Sequence, residues 1–299
     1  MSVVGIDFCN DACYISVARQ GGIESITNDF SLRETPSYVA FGEKSRSIGV
    51  AAKSGQMTQI KRTFFGFKKL LGRYMITDQQ ECVSSLSFLF LFRKFDDAQV
   101  QAELSRVPFD IAKGETGDAT YNINYAGKSK QLTAEQLTAA LFTKLKETAE
   151  AALNVKVNDC VISVPSYFTD AERRALLDSA KMSGLNVLKL MNDTTATALA
   201  YGIYKQDLPE PDKPSRNVVF VDCGHTGTQV AAASFNKGKL SMLASGYCNG
   251  SLYLLDDPLF AVDAHVGKNV FEKVIGLLRN KTRTYGVGFL PQVDNIIVL

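Results

Sequence analysis

The strongest constraint in this chain is a pattern that occurs twice. "VVGIDFCNDACYISVARQGGI" runs from Val3 to Ile23, and "VVFVDCGHTGTQVAAASFNKGKL" runs from Val218 to Leu240. Each opens on a β-branched run that ends at an aspartate, Asp7 or Asp222. Each then turns through small polar residues, alternates apolar with polar, and turns again at Gly22 or Gly238. Alternation of period two between turn residues reads as a β-hairpin, and two such hairpins predict two similar lobes. An aspartate at a strand end sets a carboxylate beside the backbone amides of the turn. Such a turn can nest an anion, and the carboxylate can hold Mg²⁺ through water. Two of them face to face would grip a metal-bound polyphosphate from both sides. For either hairpin alone an ordinary turn with a polar tip is the stronger reading; the repetition favours the nucleotide.

Between the hairpins, strands and helices alternate. "TAEQLTAALFTKLKETAEAAL" (133–153) places Leu137, Leu141, Leu145 and Ala149 on one helical face. Thr133 with Gln136, and Thr169 with Glu172, have the spacing of capping boxes. The second of these opens a helix that ends near Gly184. "NDCVISVP" (158–165) and "NVLKLMND" read as strands, and "TTATALAYG" as a third helix. This order predicts an α/β fold with a largely buried sheet. "QDLPEPDKPSR" (206–216) carries three prolines among charges and reads as a solvated linker between lobes.

Composition excludes several classes. The net charge of +2 and the lack of a dense basic run give no reason to propose nucleic acid. No stretch reaches the roughly 18 apolar residues of a membrane span, and the start shows no signal-peptide pattern. The expected location is the cytosol. The six cysteines include no CxxC pair. Cys9, Cys13, Cys223 and His225 offer soft ligands that would close a zinc site if the hairpins faced each other, a reading the spacing does not require.

The residues carry a resemblance. "VVGIDF", "GGIESITNDFSLRETPSYVAFG", "GFKKLLGR", "FTKLKETAEAAL", "DCVISVP", "FTDAERRALLDSAKMSGLNVLKLMND", "TTATALAYGIYKQDLP" and "NVVFVDCGHT" occur in order. Together they resemble the nucleotide-binding domain of the heat-shock 70 chaperone superfamily. The likeness spans about residues 1–73 and 94–246 and is nearer to the large, 110-kilodalton branch of nucleotide exchange factors and holdases. It implies actin-like ATPase (ribonuclease-H-like) lobes, with lobe I over 1–205, the start of lobe II over 206–246 and a divergent tail over 247–299. It also implies ATP or ADP with Mg²⁺, a cytosolic heat-shock 70 partner, unfolded clients, and residence in the cytosol or nucleus.

Carried over residue by residue, the resemblance places Asp7 and Asp222 near the metal. It places Cys9, Asn10 and Asp11 in the first phosphate loop, and Gly224, His225 and Thr226 in the second. Lys68 matches the lysine that orients the attacking water, and Asp193 matches a glutamate of the same neighbourhood. From the residues alone, Lys68 is equally a solvated helix face and Asp193 equally a helix cap.

Departures qualify the function. Cys9 stands where the family has glycine, and would be strained if its φ were positive. Asp193 is shorter than glutamate by one C–C bond, about 1.5 Å. Segment 74–93, with its apolar "LSFLFLF", looks inserted, because joining Arg73 to Lys94 restores the family reading "LLGRKFDD". From 247 onward no motif matches the family's adenine clamp, so the second lobe reads as truncated and nucleotide binding and hydrolysis as weak. Two rivals stay open: an interaction fragment that no longer binds nucleotide, and a small-molecule kinase of the same fold.

Overall fold

The computed structural model describes residues 3–19, 21–72, 107–114, 119–225, 227–248 and 295–298. The segment 74–93 and most of the tail from 249 lie outside the described residues. Contacts divide the chain into two units, Met1–Val164 with Phe168–Met191, and Pro165–Tyr167 with Asn192–Leu299.

In the first unit, β1 (Val4–Phe8) pairs antiparallel with β2 (Ala12–Arg19), which continues to β3 (Gly22–Ser25) and also pairs with β4 (Glu34–Pro36). Two small sheets lie in the same unit: β5 (Val39–Phe41) with β6 (Arg46–Ile48) and β7 (Thr63–Phe64), and β8 (Ile111–Lys113) with β9 (Ala119–Tyr125) and β10 (Lys128–Thr133). α1 (Val50–Ser54) is a single short turn. On its other side β1 takes β11 (Asp159–Val164) in parallel, followed by β12 (Asn186–Asn192).

The long helix α2 (Ala134–Leu153) forms where its apolar spacing predicts. Leu137, Leu141, Leu145 and Ala149 are all buried. Thr133 and Gln136 exchange both capping-box hydrogen bonds, as do Thr169 and Glu172 at the start of α3 (Asp170–Met182). Each box supplies partners for amides that would otherwise be orphaned at a helix start. Phe142 of α2 meets Phe8 of β1 edge to face at 5.2 Å between centroids. This contact fixes the end of β1, where Asp7 sits.

The second unit repeats the frame. β13 (Arg216–Cys223) pairs antiparallel with β14 (Thr228–Asn236), which pairs with β15 (Lys239–Cys248). β16 (Asn295–Val298) adds to β13 in parallel, with Val219 opposite Ile296. The registers correspond: Phe8 faces Cys13 across the first turn, and Cys223 faces Thr228 across the second. The tail therefore contributes a strand where sequence reading found no motif. Its pairing is non-local and leaves no local signature in four residues.

Helix α4 (Asp193–Tyr204) packs on this second sheet. Ala198 joins Val218, Phe220, Ala233 and Phe235 in one buried cluster, with Tyr201 against it. At Gly202 an added Cβ would lie 3.3 Å from the Phe235 ring, so glycine permits the close approach. This packing explains why contacts divide the chain at 191/192 rather than at the expected 205/206.

The proline-rich segment 206–216 is held rather than free. Asn236 Nδ2 donates to the carbonyls of Glu210 (2.9 Å) and Lys213 (3.0 Å), and Arg216 pairs with Asp207 at 3.1 Å. Expected as a linker, it is a strap on the second unit, because a buried asparagine takes up its backbone carbonyls. Among the described residues, no helix is long and apolar enough to cross a membrane.

Candidate functional site

The first group of candidate residues lies in the first unit. Asp7 stands opposite Ser163 on β11, whose hydroxyl donates to Asp7 Oδ1 at 2.7 Å. The Cys9 thiol donates to the same oxygen at 3.3 Å. Burial, and then the Asp7 charge beside it, push the Cys9 pKa up, so the thiol stays protonated. The loop after Asp7 is tied to the chain beyond β4: Ser37 Oγ donates to the Cys9 carbonyl at 2.8 Å and Ser37 N–H to the Asp11 carbonyl at 2.7 Å. Asp11 also pairs with Lys53 at 3.4 Å. Among the described residues the non-glycine positions at positive φ are Ser31, Ala126 and Asn154, so Cys9 carries no left-handed strain.

Lys68 belongs to a 3₁₀ turn, Phe67–Leu70, flanked by Gly66 at φ 70° and Gly72 at φ 64°. A Cβ at Gly72 would lie 2.8 Å from the backbone of Ala171, so the turn closes against α3 only with glycine there. Lys68 is 9% exposed, which sets aside the solvated-face reading. Its ammonium donates to the carbonyl of Phe8, the residue after Asp7, and lies 5.1 Å and 5.6 Å from the centroids of the Phe8 and Phe168 rings. A buried ammonium needs such partners.

The second group lies in the second unit. Asp222, near the end of β13, is directly opposite Gln229 on β14. Gln229 is 5% exposed. Its Nε2 donates to Asp222 Oδ2 at 3.3 Å and to Asp193 Oδ2 at 3.2 Å. Its Oε1 accepts from Ser166 N–H at 2.8 Å and Ser166 Oγ at 2.9 Å. Asp193 is the first residue of α4, and the cap position belongs to Asn192, which makes no side-chain cap bond. Asp193 is thus spent on the amide bridge rather than on capping.

The turn between β13 and β14 is closed by Gly224 N–H donating to the Gly227 carbonyl at 3.0 Å. A Cβ on Gly224 would come within 3.1 Å of that same oxygen. His225 is exposed, and Thr226 lies outside the described residues.

The structure therefore joins Asp7 with Cys9 and sets Lys68 on the adjoining carbonyl in one unit. It joins Asp193 with Asp222 in the other. Three participants escaped sequence reading: Ser163, Ser166 and Gln229. A signal for Gln229 was present. Along β14 the buried face is Gln229, Ala231, Ala233 and Phe235 while Val230 is 40% exposed, so a polar residue sits inward beside an apolar one facing out. Such an inversion marks a site. Among the described residues no three His, Cys, Asp or Glu side chains gather as a metal group, and the zinc reading gains no support.

Two hairpins of one register, each tipped by an aspartate and flanked by a parallel strand, are the frame of an actin-like ATPase. The family model described as "Hsp70 protein" matches residues 3–91 and 75–250, and this chain belongs to that family. It is 49% identical over 247 residues to Heat shock 70 kDa protein 4 of Rattus norvegicus, covering 83% of this chain and 27% of the relative. To Heat shock 70 kDa protein 4L of Homo sapiens it is 49% identical with the same coverage. To Heat shock protein 110 of Caenorhabditis elegans it is 48% identical over 249 residues, covering 83% of this chain and 30% of the relative. The chain thus spans between a quarter and a third of the length of these relatives.

Proposed function

We propose that the chain is the ATP-binding module of a heat-shock 70/110-type chaperone, with at most weak hydrolysis. The observation that carries this reading is the doubled aspartate-tipped hairpin, with Asp193 and Asp222 converging on one amide. These carboxylates form an all-oxygen donor pair suited to a hard cation, and the donor chemistry fits Mg²⁺. Asp193 and Asp222 would hold the ion, which when bound neutralises phosphate charge. Gly224, where a Cβ would crowd the Gly227 carbonyl, keeps the second loop narrow for a phosphate.

Weak hydrolysis follows from what the remaining residues do. Lys68 gives one of its three N–H donors to the Phe8 carbonyl, which ties the ammonium to the strand end and restricts where it can place a water. Cys9 brings a protonated thiol, a poor anion donor, to the first loop. Asp193 has a shorter reach than a glutamate. By the family relationship the partners are a cytosolic heat-shock 70 chaperone and unfolded clients, and the module works in the cytosol or nucleus.

Calorimetric titration with ATP, with and without Mg²⁺, tests the reading. Saturable binding strengthened by Mg²⁺ is expected. A flat titration of folded protein would replace it with the interaction-fragment reading. Phosphoryl transfer to an added small acceptor would replace it with the kinase reading.

A further inference from the structure

The Gln229 carboxamide can be oriented from chemistry alone. Ser166 N–H can only donate, so the group facing it at 2.8 Å must be the amide oxygen. The Ser166 hydroxyl reinforces this at 2.9 Å. The –NH₂ end therefore faces the carboxylates and offers one hydrogen to Asp222 and one to Asp193. Two like charges held near each other repel, and a half-buried pair gains from compensation. Here a neutral group contributes to it, with one N–H toward each carboxylate.

We propose that Gln229 is the positioning residue of this half-site and sets its divalent-cation affinity. Its amide holds Asp193 and Asp222 in place without a metal, and a cation bridging the same two oxygens, Oδ2 of each, has to displace it. The proposal rests on the reading of these carboxylates as cation-bearing. It adds that the site is pre-shaped when empty, and that binding of free cation is weakened by the residue opposite Asp222. The residue type decides this. A glutamate at 229 would turn two donors into acceptors and two negative charges into three, so its cluster would demand a cation. An asparagine would withdraw the amide by one methylene and leave the charge unchanged.

The test titrates the folded chain with Mn²⁺ alone, without nucleotide, followed by electron paramagnetic resonance, and repeats it with Mg²⁺ as competitor. Gln229→Glu is expected to bind Mn²⁺ at least tenfold more tightly than the unaltered chain. Its melting midpoint should fall in chelator and recover with Mg²⁺, a recovery that loss of packing alone would not produce. Gln229→Asn is expected to bind Mn²⁺ a few-fold more tightly, and it carries the test if the glutamate variant does not fold. Unchanged Mn²⁺ affinity in either folded variant overturns the proposal. Because the probe is the cation alone, failure here is separable from failure of the ATP reading: a chain that binds ATP but shows no Mn²⁺ difference retains the function and loses Gln229 as its determinant.

Discussion

The two aspartate-tipped hairpins share a register and differ in almost every contact around the aspartate. Opposite Asp7 across the hairpin is Tyr14, which turns its hydroxyl to Glu34 at 3.3 Å, while Asp7 bonds to Ser163 on the parallel neighbour. Opposite Asp222 is Gln229, which bonds to it directly. Cys9 follows Phe8 in the first turn, where Gly224 follows Cys223 in the second. The first hairpin is fixed from outside, by Lys68, Ser37 and α2. The second adds ties of its own, a cross-strand amide that reaches Asp222 and the Gly224–Gly227 bond, to those it takes from Ser166 and α4. One backbone frame thus tolerates two different means of fixing a carboxylate, so backbone repetition predicts the position of the acid but not its partners.

The sharpest way to break the comparison is to remove corresponding strand-end residues. Phe8 is fully buried against Phe142, and Phe8→Ala should cost about 3–5 kcal/mol. Cys223, at the matching place, is only partly buried, and Cys223→Ala should cost less than about 1 kcal/mol. Urea midpoints of the two variants decide the matter. Equal losses would mean that the Phe8 ring does not anchor the first hairpin.

A second contrast is in pH. Burial lifts the Cys13 thiol from 9.0 to about 11, whereas Thr228 at the equivalent place does not ionise. Below pH 9 the thiol is protonated in both folded and unfolded chains, and its contribution is fully present. As pH rises the unfolded chain ionises first, so that contribution declines between pH 9 and 11, by roughly 2–3 kcal/mol in all. Chemical unfolding across this window should show a shallower decline in Cys13→Ala. Identical slopes would show that Cys13 is not the group responsible.

Exchanging the turn residues has a smaller effect. Gly224→Ala presses on the Gly227 carbonyl and should cost about 1 kcal/mol, read from thermal unfolding. Cys9→Gly removes the thiol from Asp7 and should tighten Mg²⁺–ATP binding several-fold by calorimetry. Unchanged or weaker affinity would show that the first turn does not cradle phosphate. The smallest effect belongs to Lys53→Ala. Its pair with Asp11 is exposed on both sides, and the loss should stay under about 0.5 kcal/mol.

What could be read from sequence was local. Thr133 and Thr169 announce their helices because a capping box lies within four residues, and the face of α2 follows from spacing alone. Asp7 and Asp222 were legible because each ends a run of alternating character. The partners were not. Periodicity shows that Lys68 or Gln229 occurs in a given element, but the Phe8 carbonyl and the Ser166 amide come from distant parts of the chain. Segment 206–216 looked free for the same reason: besides its internal Arg216–Asp207 pair, it is bound by Asn236 and Lys237, which lie on a later strand and its turn.

The pairing of β16 with β13 has a consequence for how the second unit assembles. β13 and β14 are adjacent in sequence and can zip from their turn, whereas Asn295–Val298 must find Val218–Val221 across a wide separation in sequence. Bringing together partners so far apart in sequence costs chain entropy before any ladder bond compensates, so this strand should dock late. Until it does, one side of β13 presents a row of unused amides and carbonyls beside "VVFV", a run of high strand propensity without charge. During synthesis or refolding that edge can accept the same strand from another molecule. Refolding yield should therefore fall as protein concentration rises, and an added "NIIV"-containing peptide should compete for the edge and restore it.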